Sequence, residues 1–319
     1  MRRALILLSL ATLVGGCSAP GDDDDAGPVD MRVAIPDAPA EGEGVQIVMN
    51  ELVVPAGQEL MWCQVADWSP TEDVYVNTFE GFQAPEGGHH LVALGSQVPY
   101  EPGYGFDCTN IESMSTLSPL VLPTLDSVQT FPDGLAVKVA PGQSVVIQSH
   151  YINYTTEDML VRDVVNLGFV DGSTVTEASY LILNHGGLDL APGEASAEVS
   201  CTLPGDADYE VVSLLGHMHE YGVSMSVDLQ PGAAGDWTNL YDIPDWDVDF
   251  RDLPPVLEWD TAAPMTLTGG DRLAVNCNYD NVTGEPIRFP KEMCTSVLMY
   301  YPADERGLVI CDEDNAAVD

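Results

Sequence analysis

Short apolar runs, each closed by turn residues, are the feature that most limits what this chain can become. Residues 144–152 follow Pro141-Gly142, residues 210–215 lead through Gly216 to His219 and on to 223–227, and residues 296–301 end at Pro302. Each run has the length of a strand, and no stretch combines helical periodicity with a cap at both ends. The 29 Gly and 23 Pro supply the turns between them. Hydrophobic residues make up 45% of the chain, enough to fill real cores and to exclude global disorder. The expectation is an all-β protein built as sandwiches. Its 319 residues favour two domains, 45–172 and 173–319, divided at the polar turn Asp171-Gly172-Ser173-Thr174.

The first 17 residues read as an export signal. Arg2 and Arg3 form a basic start, an apolar run extends from Ala4 to Val14, and Gly15-Gly16-Cys17 closes it with small residues. The run is too short to remain as a membrane-spanning helix. Leu13-Val14-Gly15-Gly16-Cys17 looks like a bacterial lipoprotein processing box, and Ser18 after it looks like an outer-membrane sorting signal. The expected location is therefore outside the cytoplasm, with the chain lipid-anchored at the bacterial outer membrane through Cys17. Residues 18–44 are rich in Asp, Gly, Pro, Ala and Glu, with too few large apolar groups to offset their ordering entropy. They are expected to form a flexible acidic tether. Asp22 to Asp25, without a glycine-turned loop, read as solvated linker rather than a cation site.

Against 10 Lys and Arg stand 51 Asp and Glu, a formal net charge of −41. That field repels phosphate, so neither nucleic acid nor an anionic headgroup is expected as an electrostatic partner. The sequence holds no glycine-rich phosphate loop and no serine nucleophile elbow. Beyond Cys17, six cysteines remain: Cys63, Cys108, Cys201, Cys277, Cys294 and Cys311. An even number in an exported chain points to disulfides, and the lack of C-x-x-C spacing argues against a zinc knuckle. Asn153-Tyr154-Thr155 and Asn281-Val282-Thr283 fit a glycosylation sequon, which a bacterial export signal makes irrelevant.

Five of the six histidines fall into three groups, His89-His90, His150 and His217-x-His219. Alternate side chains of a strand share a face, so His217 and His219 can hold one metal while Met218 points the other way. His89 and His90 can reach a single metal only where the backbone bulges or turns, which Gly87-Gly88 permits. His150 lies on a separate strand, with Gln148 on its own face. Met293, in Lys291-Glu292-Met293-Cys294, is a softer candidate, because thioether with imidazole favours copper, Cu(I) above all, over zinc. His185 is read as structural.

In this order, His-His, His, H-x-H and Glu-Met-Cys followed by Met-Tyr-Tyr, the residues make the chain similar to the copper type II, ascorbate-dependent monooxygenases. That family includes the peptidylglycine α-hydroxylating and dopamine β-monooxygenases. The resemblance spans about residues 45–315, and the cysteine spacing is similar as well. It implies two jelly-roll-like β-sandwich domains with one copper in each. His89, His90 and His150 would hold an electron-supplying copper; His217, His219 and Met293 would hold the copper that activates oxygen. Gln148, on the same face as its neighbour His150, matches a family glutamine at the cleft between the domains, which makes it a candidate for a catalytic role in electron transfer. The implied disulfides are Cys63–Cys108, Cys201–Cys311 and Cys277–Cys294. The implied reaction hydroxylates a substrate C–H with dioxygen, using ascorbate or another one-electron donor.

The substrate does not carry over. Where the peptidylglycine enzyme places an arginine two residues before the H-x-H, this chain has Leu215, and its tyrosine four residues after the methionine is Val297 here. Burying a carboxylate at such a spot without a cation is costly, so a glycine-extended peptide is not the expected substrate. An apolar or aromatic small molecule fits those side chains better. Two rival readings keep the same residues: a non-catalytic copper-binding or storage lipoprotein, and a scaffold sandwich whose histidines are incidental.

Overall fold

The computed structural model describes residues 27–318 except 97, 110–115, 125–127, 206, 252, 290, 305 and 313–314. The expected signal, Cys17 and the acidic run from Asp22 to Asp25 lie outside the described residues. Among the described residues there are strands and turns but no α-helix, only three short 3₁₀ segments. The protein is all-β, as its turn-bounded apolar runs require.

In the first half, a five-stranded sheet has the order Gly105–Asp107, Glu59–Val65, Val145–Ile152, Gly88–Ser96, Leu117–Thr124. Its central strand, Val145–Ile152, is buried at every position, the mark of a strand covered on both faces. Leu91, Ala93 and Ile147 join Ile47, Val76, Phe79, Val165 and Leu167 of the opposing sheet in one core. Val146, Val92 and Leu94 turn the other way, around Cys63 and Cys108. In the second half, Thr176–Asn184, Thr295–Tyr301 and Asp208–His217 pack on a four-stranded sheet ordered Gly193–Thr202, Arg272–Asn281, Gly222–Gln230, Thr238–Ile243. Leu181, Leu214, Leu298, Val227 and Val275 lie between these layers.

Asp171 caps the 3₁₀ turn Gly172–Thr174 by accepting the Ser173 N–H. Beyond that turn, Thr176–Asn184 pairs in parallel with Leu135–Val139, and one twelve-stranded sheet runs through both halves. Tyr180, Val212, Val297 and Met299 of the second half complete the first half's core. The halves therefore share a sheet and a hydrophobic cluster.

Three disulfides staple this arrangement: Cys63–Cys108, Cys201–Cys311 and Cys277–Cys294. Such bonds belong to an oxidising, extracytoplasmic environment. No helix among the described residues is long and apolar enough to cross a membrane.

The tether expected over 18–44 needs correcting in its described part. Val29–Asp30 pairs with the strand Met159–Val161. Arg32 forms 2.6 Å ion pairs with Asp30 and Glu51, and Arg162 Nη2 donates to the Val33 carbonyl at 3.0 Å. Gln46 and Asn166 donate to the carbonyls of Pro36 and Asp37. Alternating Val29, Met31 and Val33 suffice for a strap of edge strand, and Met31 packs against the buried cluster of Val54, Ala84, Tyr151, Met159 and Val161. Average composition hides that alternation.

The two sequons prove to be paired structural devices. Asn153 and Asn281 are each 1% exposed. Their amides donate to Val54 and Glu157 carbonyls in one case and to Leu190 and Glu285 carbonyls in the other. Each Oδ1 accepts the hydroxyl of the threonine two residues on, at 2.7 Å. The same Asn-x-Thr-x-Glu turn thus closes the long strands Val145–Ile152 and Arg272–Asn281, one in each half. No fixed period in the sequence announces this repeat.

Asp163 gives the fold a pH dependence. Its buried carboxylate accepts from Tyr151 Oη at 2.6 Å and from the Ala84 N–H at 3.1 Å, and burial raises its pKa to about 6. The folded state then holds a proton that the unfolded chain, with an ordinary pKa near 3.8, releases. This contribution is complete below about pH 4 and is lost as pH rises to about 6, a change of roughly 3 kcal/mol. Denaturant unfolding of Asp163→Asn is expected to lack that slope between pH 4 and 6, compared with the parent protein. An unchanged slope would show that Asp163 is ionised normally.

Candidate metal centres

The first centre begins with a β-bulge. His90 pairs with His150 across neighbouring strands, but the next paired residues are Gly88 and Tyr151, so His89 is the extra residue. A bulge turns adjacent side chains toward one side, which regular alternation forbids. Gly87, at φ 77°, makes the approach, and a side chain there would run into Met159. The ring centroids of His89 and His90 lie 4.9 and 4.8 Å from that of His150. One ring nitrogen from each of the three lies within 4.8 Å of the others, and all three Nδ1 atoms are shielded from solvent. Gln83 Nε2 donates at 3.0 Å to both the His90 and His150 carbonyls, tying the two strands at the bulge. Among the described residues no other group of three His, Cys, Asp or Glu is so placed.

His150 is 3% exposed, and its Nε2 lies 2.8 Å from Glu59 Oε1. Burial, with His90 nearby, lowers its pKa to about 4 in spite of Glu59. It is a neutral imidazole at neutral pH, the form a metal requires. Gln148, two residues earlier on the same strand, is buried with its Nε2 3.6 Å from Cys108 Sγ, against the disulfide.

The second pair lies at the end of Asp208–His217. His217 Nε2 and His219 Nε2 are 3.0 Å apart with their rings nearly perpendicular at 86°. Metal–imidazole bonds of about 2 Å put two nitrogens on one metal about 3 Å apart. His219 Nδ1 is 3.0 Å from the Lys291 carbonyl; a carbonyl only accepts, so Nδ1 carries the proton and Nε2 the lone pair. Met218 is fully buried in the core, as alternation predicts.

The residue that sequence reasoning misses is Glu292. It has no exposure, and its carboxylate accepts the backbone N–H groups of His219, Tyr221 and Met293. One side chain therefore fixes both the H-x-H segment and the candidate thioether residue. Met293 is half-buried, and its carbonyl accepts Tyr279 Oη at 2.7 Å, so its backbone is held from two sides. Burial raises the pKa of Glu292 while the N–H donors oppose the rise. The Glu-Met-Cys motif contains this residue, but nothing in the local sequence shows that its carboxylate reaches back to the H-x-H segment. His185, whose N–H donates to the Cys294 carbonyl, joins no metal-ligating group among the described residues.

Beside His217 the sheet surface turns apolar. His217, Thr295 and Asn184 form one cross-strand rung, and Leu215, Val297 and Ile182 form the rung two residues on. Val297 is buried, and Leu215 and Ile182 are partly so. Arg251 pairs with Glu220 at 2.6 Å, next to His219 in the chain.

The fold and its sites define an extracytoplasmic all-β protein with an imidazole trio able to hold a metal ion and a second imidazole pair apart from it. No protein-family model matches the chain, and no curated protein matches it. Among solved structures, infectious bursal disease virus Gx strain is 9% identical over 88% of this chain and 75% of that one, with a TM-score of 0.21. Dimeric latent PorU from Porphyromonas gingivalis is 9% identical over 70% of this chain and 24% of that one, with a TM-score of 0.20. Likeness at that level carries no argument about fold or function.

Proposed function

We propose that the protein is a copper-dependent monooxygenase with two mononuclear sites, lipid-anchored at the bacterial outer membrane through Cys17. The observation that carries the reading is the pair of separate histidine clusters, each with a ring nitrogen placed for a metal and another tied to a protein acceptor. The donor sets fit copper: three imidazoles in one site, and in the other two imidazoles with Met293, whose N–H shares the Glu292 carboxylate with that of His219. When bound, copper would supply one-electron chemistry and activation of dioxygen, with ascorbate or another one-electron donor as co-substrate. His89, His90 and His150 would hold the first ion; His217, His219 and Met293 would hold the second. The resemblance to the copper type II, ascorbate-dependent monooxygenases supports the same assignment.

The chain's own groups define what the second site accepts. Leu215, Val297 and Ile182, on the rung next to His217, carry no charge to offer a carboxylate. Their polarity favours a small apolar or aromatic substrate over a carboxylate-bearing one. Oxygen consumption by the copper-loaded, ascorbate-reduced protein tests the reading against a panel of C–H substrates. Uptake is expected with apolar or aromatic compounds. A glycine-extended peptide is expected to show kcat/KM at least about 30-fold lower, the equivalent of about 2 kcal/mol for an unpaired carboxylate. Copper binding with no turnover of any substrate would make the protein a storage or carrier lipoprotein instead.

A further inference from the structure

We infer that Glu59 is the positioning residue of the first metal centre, holding His150 through Nε2 so that Nδ1 is the ring's donor atom. The inference rests on the reading of the histidine trio as a metal centre. A neutral imidazole carries one N–H, and a carboxylate can only accept; the 2.8 Å contact from Glu59 Oε1 therefore puts the proton on Nε2. The other nitrogen, His150 Nδ1, is buried and has no hydrogen-bond partner. A buried lone pair without a donor is unfavourable, and a metal ion shared with His89 and His90 satisfies it.

The strand register supplies Glu59. On Glu59–Val65, Met61 is the direct partner of His150, and Glu59, opposite Ile152, is its diagonal neighbour. Diagonal neighbours on one sheet face lie within reach of long side chains. The glutamate side chain is 57% exposed, so it spans from solvent to a ring that is 3% exposed. A carboxylate on the distal N–H fixes a ligand ring and strengthens it as a donor, and loss of such a partner weakens metal affinity about 10–100-fold.

The test is copper affinity, measured by competition with a chromogenic chelator in a His217→Ala background so that only the first site is read. Glu59→Ala is expected to weaken copper binding about 10–100-fold and to alter the Cu(II) EPR hyperfine pattern. Glu59→Gln, whose amide oxygen still accepts the Nε2 proton, is expected to recover part of both. Glu59 is largely exposed, so water can take its place on the His150 Nε2 proton, and thermal unfolding of the metal-free variants should stay close to the parent, separating positioning from folding. In the complementary His150→Ala background, second-site affinity should not respond to Glu59. Equal affinity and identical EPR spectra for Glu59→Ala and its parent overturn the inference while the trio stands as a metal centre. No first-site copper in the parent overturns both.

Discussion

Glu292→Ala is expected to lower the unfolding free energy of the metal-free protein by about 3–5 kcal/mol, the largest effect of any single change at the candidate sites. The carboxylate is fully buried and accepts from three backbone N–H groups, those of His219, Tyr221 and Met293. Truncation leaves all three donors inside the protein without an acceptor, at about 1–3 kcal/mol each, and their effects are not fully additive. Glu292→Gln keeps one oxygen and the side-chain volume, so a smaller loss of about 1–2 kcal/mol is expected. The same substitutions should loosen second-site copper, because the H-x-H segment and Met293 no longer share an anchor. Denaturant unfolding gives the first quantity and chelator competition the second. A change under about 1 kcal/mol for alanine would mean that water or backbone movement satisfies the donors.

Removing single histidines is expected to empty one site at a time. His150→Ala takes away the most buried imidazole of the trio, leaving two ligands on a bulged strand, and first-site copper should fall by more than about 100-fold in affinity. His217→Ala leaves His219 without its partner at 3.0 Å and should remove second-site copper in the same way. Each variant should retain about half the copper of the parent, because the ligands of one site contribute nothing to the other. Metal analysis after desalting gives the stoichiometry, and Cu(II) EPR identifies which site remains. Full copper content in either variant would show that the histidine concerned is not a ligand.

Strand alternation by itself makes part of this site legible in the sequence. The period of two places His217 and His219 on one face and Met218 in the core, and the structure has Met218 fully buried. Adjacent His89 and His90 demand a bulge, and the register skips His89. Polar residues mark the turn after Val170. Other features depend on contacts far apart in sequence and have no local signature. The parallel pairing of Leu135–Val139 with Thr176–Asn184 merges the halves into one sheet, which no run of residues announces. Glu59 looks like any other surface acid until His150 arrives beside it, and the Glu-Met-Cys motif does not reveal that Glu292 accepts the N–H groups of His219 and Tyr221. The strap over 29–33 stays hidden because composition is averaged over a window, whereas a strand needs only alternation.

Each histidine cluster is expected to hold one copper ion. The most direct test is the copper-to-protein ratio of the full chain, loaded with copper, desalted against a weak chelator and measured by metal analysis. Two coppers per chain, not displaced by equimolar zinc, is the predicted result. A ratio near zero, or replacement of copper by zinc at both clusters, would contradict it.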